Sequence, residues 1–308
     1  MSGPFLHVVG ARPNFMKLAP VYAALVLRRA PQLIVHTGQH YAASMSDVFF
    51  QQLALPTPDL NLEIGSASHA VQTARIMERL EQVLVDARPR CVIVYGDVNS
   101  TLAAALVAAK LGTPVVHVEA GLRSRDRSMP EEINRLVTDA LADVLYTPSI
   151  DGDENLRAEG VPARKIACVG NVMIDTLVRL LPAAEREWTE RWHALVPPRY
   201  ALVTLHRPSN VDDQGTLDEI LAALGEIAAT LPLVFPVHPR TQDRLNSAQH
   251  KAVCSGIQLM DPVGYVEFLA LQRHATAVIT DSGGIQEEST YLGVPCLTLR
   301  ENTERPVT

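Results

Sequence analysis

Short, mostly β-branched apolar runs alternate with helical segments along almost the whole chain, and that alternation leaves little choice of fold. Residues 5–9 (FLHVV), 33–37, 91–95 (CVIVY), 115–118, 144–147 and 166–169 each read as a buried strand. Helical patterns at about 14 onwards, 44–54, 69–87 and after 96–101 lie between them. Strand and helix in strict turn imply a parallel, doubly wound α/β sheet. A second set follows, with strands at 200–205, 233–237, 257–260, 277–280 and 295–299 and helices near 214–229 and 264–272. Residues 170–198, with two tryptophans and the pair Pro197-Pro198, read as a linker plus an entry helix. Two domains are therefore expected, 1–172 and 173–308, and 308 residues suffice for a core in each.

A net charge of −7 argues against non-specific nucleic-acid binding. Cys91, Cys168, Cys254 and Cys296 form no CxxC pair, and three lie in or beside strands. Buried reduced thiols are expected, with no disulfide, metal or other cofactor. No apolar run reaches membrane-spanning length, and the N-terminus passes into a strand without a signal peptide, so the expected compartment is the cytoplasm.

In open α/β sheets ligands bind beyond the carboxyl ends of the strands, and polar residues gather there in this chain. Glu119 follows the run 115–118 directly, before a loop carrying Arg123, Arg125 and Arg127. Ser128 reads as the opening of a helix with Pro130 in its first turn and Ile133, Leu136, Val137, Ala140 and Leu141 at helical spacing. Glu131 has two readings: partner of Ser128 in a capping box, or an acid beside a cationic loop. Asp97 likewise reads as an N-cap or as a site residue. Glu119 has no comparable local use, so a functional role is expected of it. Gly10 followed by Arg12 and Lys17 at a helix start suits an anion, although one glycine is a weak signal. His206 and His238 end two apolar runs of the second set; each alone reads as structural, the two together as diphosphate ligands. Ser282-Gly283-Gly284 opens another helix, where backbone amides can approach a phosphate. Glu287 and Glu288, read as first-turn residues, suit the helix dipole or a ribose.

These residues sit in motifs that run through the chain: GARPNFMKLAP at 10–20, HTGQHY at 36–41, YGDVNSTLAA at 95–104, HVEAGLRS at 117–124, MPEEINR at 129–135, TLHRPSNVD at 204–212, PVHPR at 236–240, TDSGGIQEE at 280–288 and ERP at 304–306. On them the chain resembles the non-hydrolysing UDP-N-acetylglucosamine 2-epimerases. The resemblance implies a GT-B architecture, two Rossmann-like domains with the active site in the cleft between them. It implies a cytoplasmic isomerase that interconverts UDP-N-acetylglucosamine and UDP-N-acetylmannosamine, without cofactor, as a homodimer, for cell-surface polysaccharide biosynthesis. Carried over to this sequence, it makes Asp97, Glu119 and Glu131 the acid/base carboxylates and His206 the histidine facing the diphosphate. It assigns the UDP moiety to Arg12, Lys17, His238, Phe268, Ser282, Gly283, Gly284, Glu288 and Arg305, with Phe268 near the uracil and Glu288 on the ribose.

The chain departs from the family in three places. Asn14 stands where an acid is usual. HTGQHYAAS lacks the second glutamine at which some bacterial members bind an allosteric copy of the substrate, so the resemblance leaves substrate activation open. The chain ends just after ERP, so the second domain reads as truncated. An epimerase of a related sugar, such as UDP-2,3-diacetamido-2,3-dideoxyglucuronic acid, fits the same motifs. A GT-B glycosyltransferase would share the nucleotide site but has no use for three carboxylates.

Overall fold

The apolar runs assemble into two sheets in which every pairing is parallel. The computed structural model describes residues 3–39, 50, 52–237, 239–242, 244–245, 256–300 and 303–305. The chain divides into two compact units, residues 1–176 and 177–306, and the division falls inside the helix Val172–Glu187.

The first unit holds β1 (Phe5–Val9), β2 (Gln32–His36), β3 (Leu60–Asn61), β4 (Cys91–Tyr95), β5 (Val115–Val118), β6 (Val144–Thr147) and β7 (Ile166–Cys168). Their spatial order is β3-β2-β1-β4-β5-β6-β7, all parallel. The order reverses between β1 and β4, and the crevice at such a reversal is where doubly wound sheets bind ligands. The core packs Leu6, Val8, Val92, Val94 and Val115 of the sheet against Ile76, Leu80 and Leu84 of the helix His69–Ala87 and alanines 103–105 of the helix Asn99–Lys110. Small alanines there let helix and sheet approach closely.

The second unit contains β8 (Ala201–Thr204), β9 (Leu233–Pro236), β10 (Ile257–Met260), β11 (Ala277–Thr280) and β12 (Cys296–Thr298) in the order β10-β9-β8-β11-β12. Its reversal lies between β8 and β11. Val203, Leu205, Phe235 and Ile279 meet Leu217, Leu221 and Leu224 of the helix Gln214–Ala228. Both units are thus doubly wound parallel α/β sheets, as the alternation predicts.

Differences from the sequence reading are local. Two-residue β3 has too little pattern to be read, and the 44–54 helix falls almost wholly outside the described residues. Cys91 is buried, Cys168 is exposed and Cys254 lies outside the described residues; Cys91, Cys168 and Cys296 are free thiols. Cys168 closes edge strand β7, which pairs with β6 on one side and has no strand partner on the other among the described residues. No helix among the described residues is long and apolar enough to cross a membrane.

Candidate active site

In the first unit the reversal point brings together residues from the ends of β1, β4 and β5. Lys17, on the helix Arg12–Leu27 after β1, forms a buried ion pair with Glu119, the residue after β5. The pair reaches across the end of β4, where Gly96 makes room for it. A Cβ built on Gly96 would lie 2.6 Å from Lys17 Nζ and 3.1 Å from Glu119 Oε2, and Gly96 itself has φ +62°. Any side chain there would collide with the pair and strain the backbone. Glu119 has φ +73°, a left-handed conformation rarely adopted by non-glycine residues. Its N–H and that of Ala120 both donate to the Tyr146 carbonyl, which holds the strained turn. Strain of this kind persists where the surroundings over-determine it, and it gathers at functional sites.

Asp97 follows Gly96. It does not cap the helix Asn99–Lys110, whose N-cap is Val98. Its carboxylate instead meets Arg135, with Nη1 2.5 Å from Oδ2. Arg135 lies on the helix Pro130–Leu141, and the buried stripe of that helix is polar: Glu132, Asn134, Arg135, Thr138 and Asp139. The apolar residues picked out by periodicity, Ile133, Leu136, Val137 and Leu141, are only half-buried, and Ala140 is exposed. The polar stripe is tolerable because its charges close on one another. Glu132 accepts from the backbone N–H and hydroxyl of Ser124, from the Arg125 N–H and from Arg135. Asp139 receives Arg123 at 2.8 Å and the Gly121 N–H at 3.1 Å, and His117 places Nδ1 2.6 Å away. The other nitrogen of His117 lies 2.8 Å from the carbonyl of Gly96. Burial pushes the Asp139 carboxyl up, but His117 and Arg123 outweigh it and hold it below the usual carboxylate range. Glu132 is also held low: burial raises it, while the Ser124 and Arg125 amides and Arg135 lower it further.

The capping box does not form. The helix begins at Pro130 with Met129 as N-cap, and Ser128 donates to Asp126. Proline suits the first helical position because it has no N–H to satisfy. Glu131 is half-buried, and its carboxylate has no hydrogen-bond partner among the described residues. It sits one turn before Arg135, on the same side of the helix. Asn14 has a local explanation too: Oδ1 accepts from the N–H groups of Gly10 and Ala11, and Nδ2 donates to the Tyr95 carbonyl. An ionised acid at that position has no proton to give Tyr95.

In the second unit, His206 after β8 and Asp281 after β11 meet at the reversal point. His206 Nδ1 lies 2.9 Å from Asp281 Oδ1, and Asp281 also accepts from the N–H groups of His206 and Arg207. Burial raises the Asp281 carboxyl, and these bonds bring it below the ordinary value. A carboxylate fixed in this way orients the imidazole, whose side chain stays 40% exposed. Ser282 is the N-cap of the helix Gly283–Leu292, with Gly283 and Gly284 in its first turn. That places Glu287 and Glu288 in the second turn, not the first. A Cβ on Gly283 would meet Glu304 Oε1 at 2.6 Å, Arg305 Nη1 at 3.2 Å and Arg300 Nη1 at 3.5 Å. Two guanidinium groups therefore stand beside an amide-rich helix start, bound to Glu304 and, for Arg305, to Glu287 at 2.5 Å. Glu288 is buried, and its Oε1 accepts from the Tyr265 hydroxyl at 2.9 Å. Phe268 is half-buried on the helix Tyr265–His274. His238 and the side chain of Arg12 lie outside the described residues.

The structure thus groups Lys17, Asp97 and Glu119, and separately His206, Ser282, Gly283, Gly284 and Arg305. Sequence reading passed over Arg135, Asp139 and His117, whose partners Asp97, His117 and Asp139 lie 22 to 38 residues away, and Arg300, whose partner Glu304 is four residues on. The family model described as UDP-N-acetylglucosamine 2-epimerase matches residues 27–308. The chain belongs to this family of isomerases. A UDP-N-acetylglucosamine 2-epimerase of Methanocaldococcus jannaschii is 43% identical over 309 residues, spanning 98% of this chain and 84% of the relative. Its crystal structure in complex with UDP-GlcNAc and UDP matches with a TM-score of 0.91, covering 99% of this chain and 86% of that one. A UDP-2,3-diacetamido-2,3-dideoxy-D-glucuronate 2-epimerase of Pseudomonas aeruginosa is 42% identical, over 97% of this chain and 84% of the relative. The family's solved members fix the architecture as GT-B, the two-sheet arrangement described above.

Proposed function

We propose that this epimerase-family chain catalyses reversible C2 epimerisation of UDP-N-acetylglucosamine to UDP-N-acetylmannosamine by elimination and re-addition of UDP. The observation that carries the reading is the gathering of Asp97 and Glu119, each on a buried cation, around the side-chain-free Gly96. Such a set can move protons beside a sugar. The C2 hydrogen is not next to a carbonyl, so it becomes acidic only as the C1–O bond breaks and positive charge grows at C1. A carboxylate takes the C2 proton while the C1–O electron pair leaves with UDP, giving a 2-acetamidoglucal. The UDP oxygen then returns to C1, and a carboxyl on the opposite face delivers a proton to C2.

Asp97, Glu119 and Glu131 are the acid/base set. His206, steadied by Asp281, faces the departing diphosphate. The amides of Ser282, Gly283 and Gly284 with Arg12, Lys17, His238 and Arg305 hold the UDP anion, Phe268 lies near the uracil, and Glu288 takes the ribose. Lys17 thereby serves Glu119 as well as the anion. The enzyme acts as a cytoplasmic homodimer. Turnover in D₂O followed by NMR tests the route: the manno epimer must carry deuterium at C2. Epimer formed with full protium at C2 would rule out elimination. The Pseudomonas relative, about as similar as the Methanocaldococcus one, supports a second reading in which the substrate is a diacetamido uronic acid. Assay of both UDP-sugars side by side decides between them.

A further inference from the structure

We infer that Arg135 is a positioning residue for the reaction, holding Asp97 so that one carboxylate oxygen, Oδ1, is presented for proton transfer. The inference rests on Asp97 being an acid/base carboxylate. The Arg135 side chain is 3% exposed and that of Asp97 29%. One arm of the guanidinium, Nη1, sits 2.5 Å from Asp97 Oδ2. Its other nitrogens, Nε and Nη2, grip Glu132 Oε2 at 3.1 and 2.8 Å. Glu132 is itself anchored by Ser124 and the Arg125 N–H. The guanidinium is therefore braced from behind and cannot follow Asp97 if the carboxylate turns.

The main chain of Asp97 is held from the same helix. Asn134 Nδ2 donates to the Asp97 carbonyl at 2.8 Å, and His117 meets the preceding carbonyl, that of Gly96, at 2.8 Å. Backbone and Oδ2 are thus both pinned, and the remaining oxygen, on a partly exposed side chain, has no partner among the described residues. A planar fork braces two carboxylates in fixed directions at once; a lysine ammonium is a rotatable point charge without that rigid geometry. The polar stripe of the helix Pro130–Leu141, which is costly to bury, acquires a purpose on this account.

Four variants test it: Asp97→Asn, Arg135→Ala, Arg135→Lys and the double variant Asp97→Asn/Arg135→Ala. Loss of positioning should lower kcat of Arg135→Ala about 10²-fold, with KM and UDP affinity within about twofold. In the Asp97→Asn background the same change should cost no more than about twofold, because a residue acting through Asp97 is not additive with it. Millimolar methylguanidinium should restore part of the kcat of Arg135→Ala and none of that of the double variant. Should Arg135→Ala fail to fold, Arg135→Lys carries the test, with a kcat below wild type at unchanged UDP affinity. Additive losses, or a fall in UDP affinity parallel to kcat, would make Arg135 merely structural and overturn the inference. Wild-type turnover by Asp97→Asn would instead sink the carboxylate reading itself. An impaired Asp97→Asn beside an unimpaired Arg135→Ala would sink only the positioning role.

Discussion

Asp139 in the first unit and Glu288 in the second are both buried acids on helices that border a candidate site, yet burial leaves them in opposite states. Asp139 faces Arg123 and His117 and is held below the usual carboxylate range. Glu288 meets the hydroxyl of Tyr265, and burial pushes it up to about 7, with Glu287 adding to the rise. Depth is the same; the partner differs. An acid keeps its charge inside a protein when a cation or several backbone N–H groups replace the lost water, and neutral side-chain donors such as the Tyr265 hydroxyl do not suffice here. Asp139 therefore stays charged within a buried ion-pair set, whereas Glu288 is pushed to change state near neutrality.

The contrast is most exposed to failure at Asp139. Asp139→Ala leaves Arg123 and His117 facing each other without their shared anion, and should destabilise the protein by roughly 3–5 kcal/mol in urea titration. Glu288→Gln at pH 7 should cost far less. Equal losses would mean that partner type does not matter here.

Next in size is the pH dependence of Glu288. Its pKa is raised on folding, so its stabilising contribution is complete below the unfolded value of 4.5 and is lost as pH rises through about 7. The full span is about 3 kcal/mol at most. Glu288→Gln should therefore gain on wild type as pH rises from about 5 to 8. His7 has the opposite slope: burial, only partly offset by Gln32, lowers it to about 4. Its contribution is present above 6.5 and is lost as pH falls towards 4. A ΔG–pH curve for Glu288→Gln that parallels wild type would refute the first of these assignments.

The carboxylates of the first unit's candidate site come next. Asp97→Asn, Glu119→Gln and Glu131→Gln should each lower kcat by roughly 10²-fold, about 2.7 kcal/mol of barrier, with little change in UDP affinity. A variant that keeps wild-type turnover assigns its residue to structure. The smallest effect is expected of Tyr265→Phe, which removes one hydrogen bond to Glu288 and should cost about 1 kcal/mol at neutral pH. A cost approaching that of Asp139→Ala would show that the hydroxyl does the work of a cation.

The strands were legible because buried parallel strands are continuous apolar runs, and their order of appearance already implied two doubly wound sheets. Local chemistry was less so. Apolar spacing at 133–141 located a helix but misjudged its face, because periodicity counts apolar residues while the packed side is made of paired charges. The Ser128–Glu131 cap failed since Asp126 claims Ser128 and Pro130 takes the first helical position. Asp97 was undecided between cap and site because its partner, Arg135, lies 38 residues on. Lys17 read as a phosphate ligand, and nothing near it in sequence points to Glu119. The second-turn placement of Glu287 and Glu288 follows once Ser282 is known to be the N-cap.

The pair that bridges Gly96 also sets an order in time. Lys17 and Glu119 are 102 residues apart, and they can meet only across the end of β4. As the chain emerges during synthesis, the helix after β1 is complete long before its acidic partner exists. β4 must already lie beside β1, and β5 beside β4, before the contact closes. Closing so distant a contact is entropically late in folding. The Lys17–Glu119 contact thus depends on three strands from separate stretches of the chain having paired side by side.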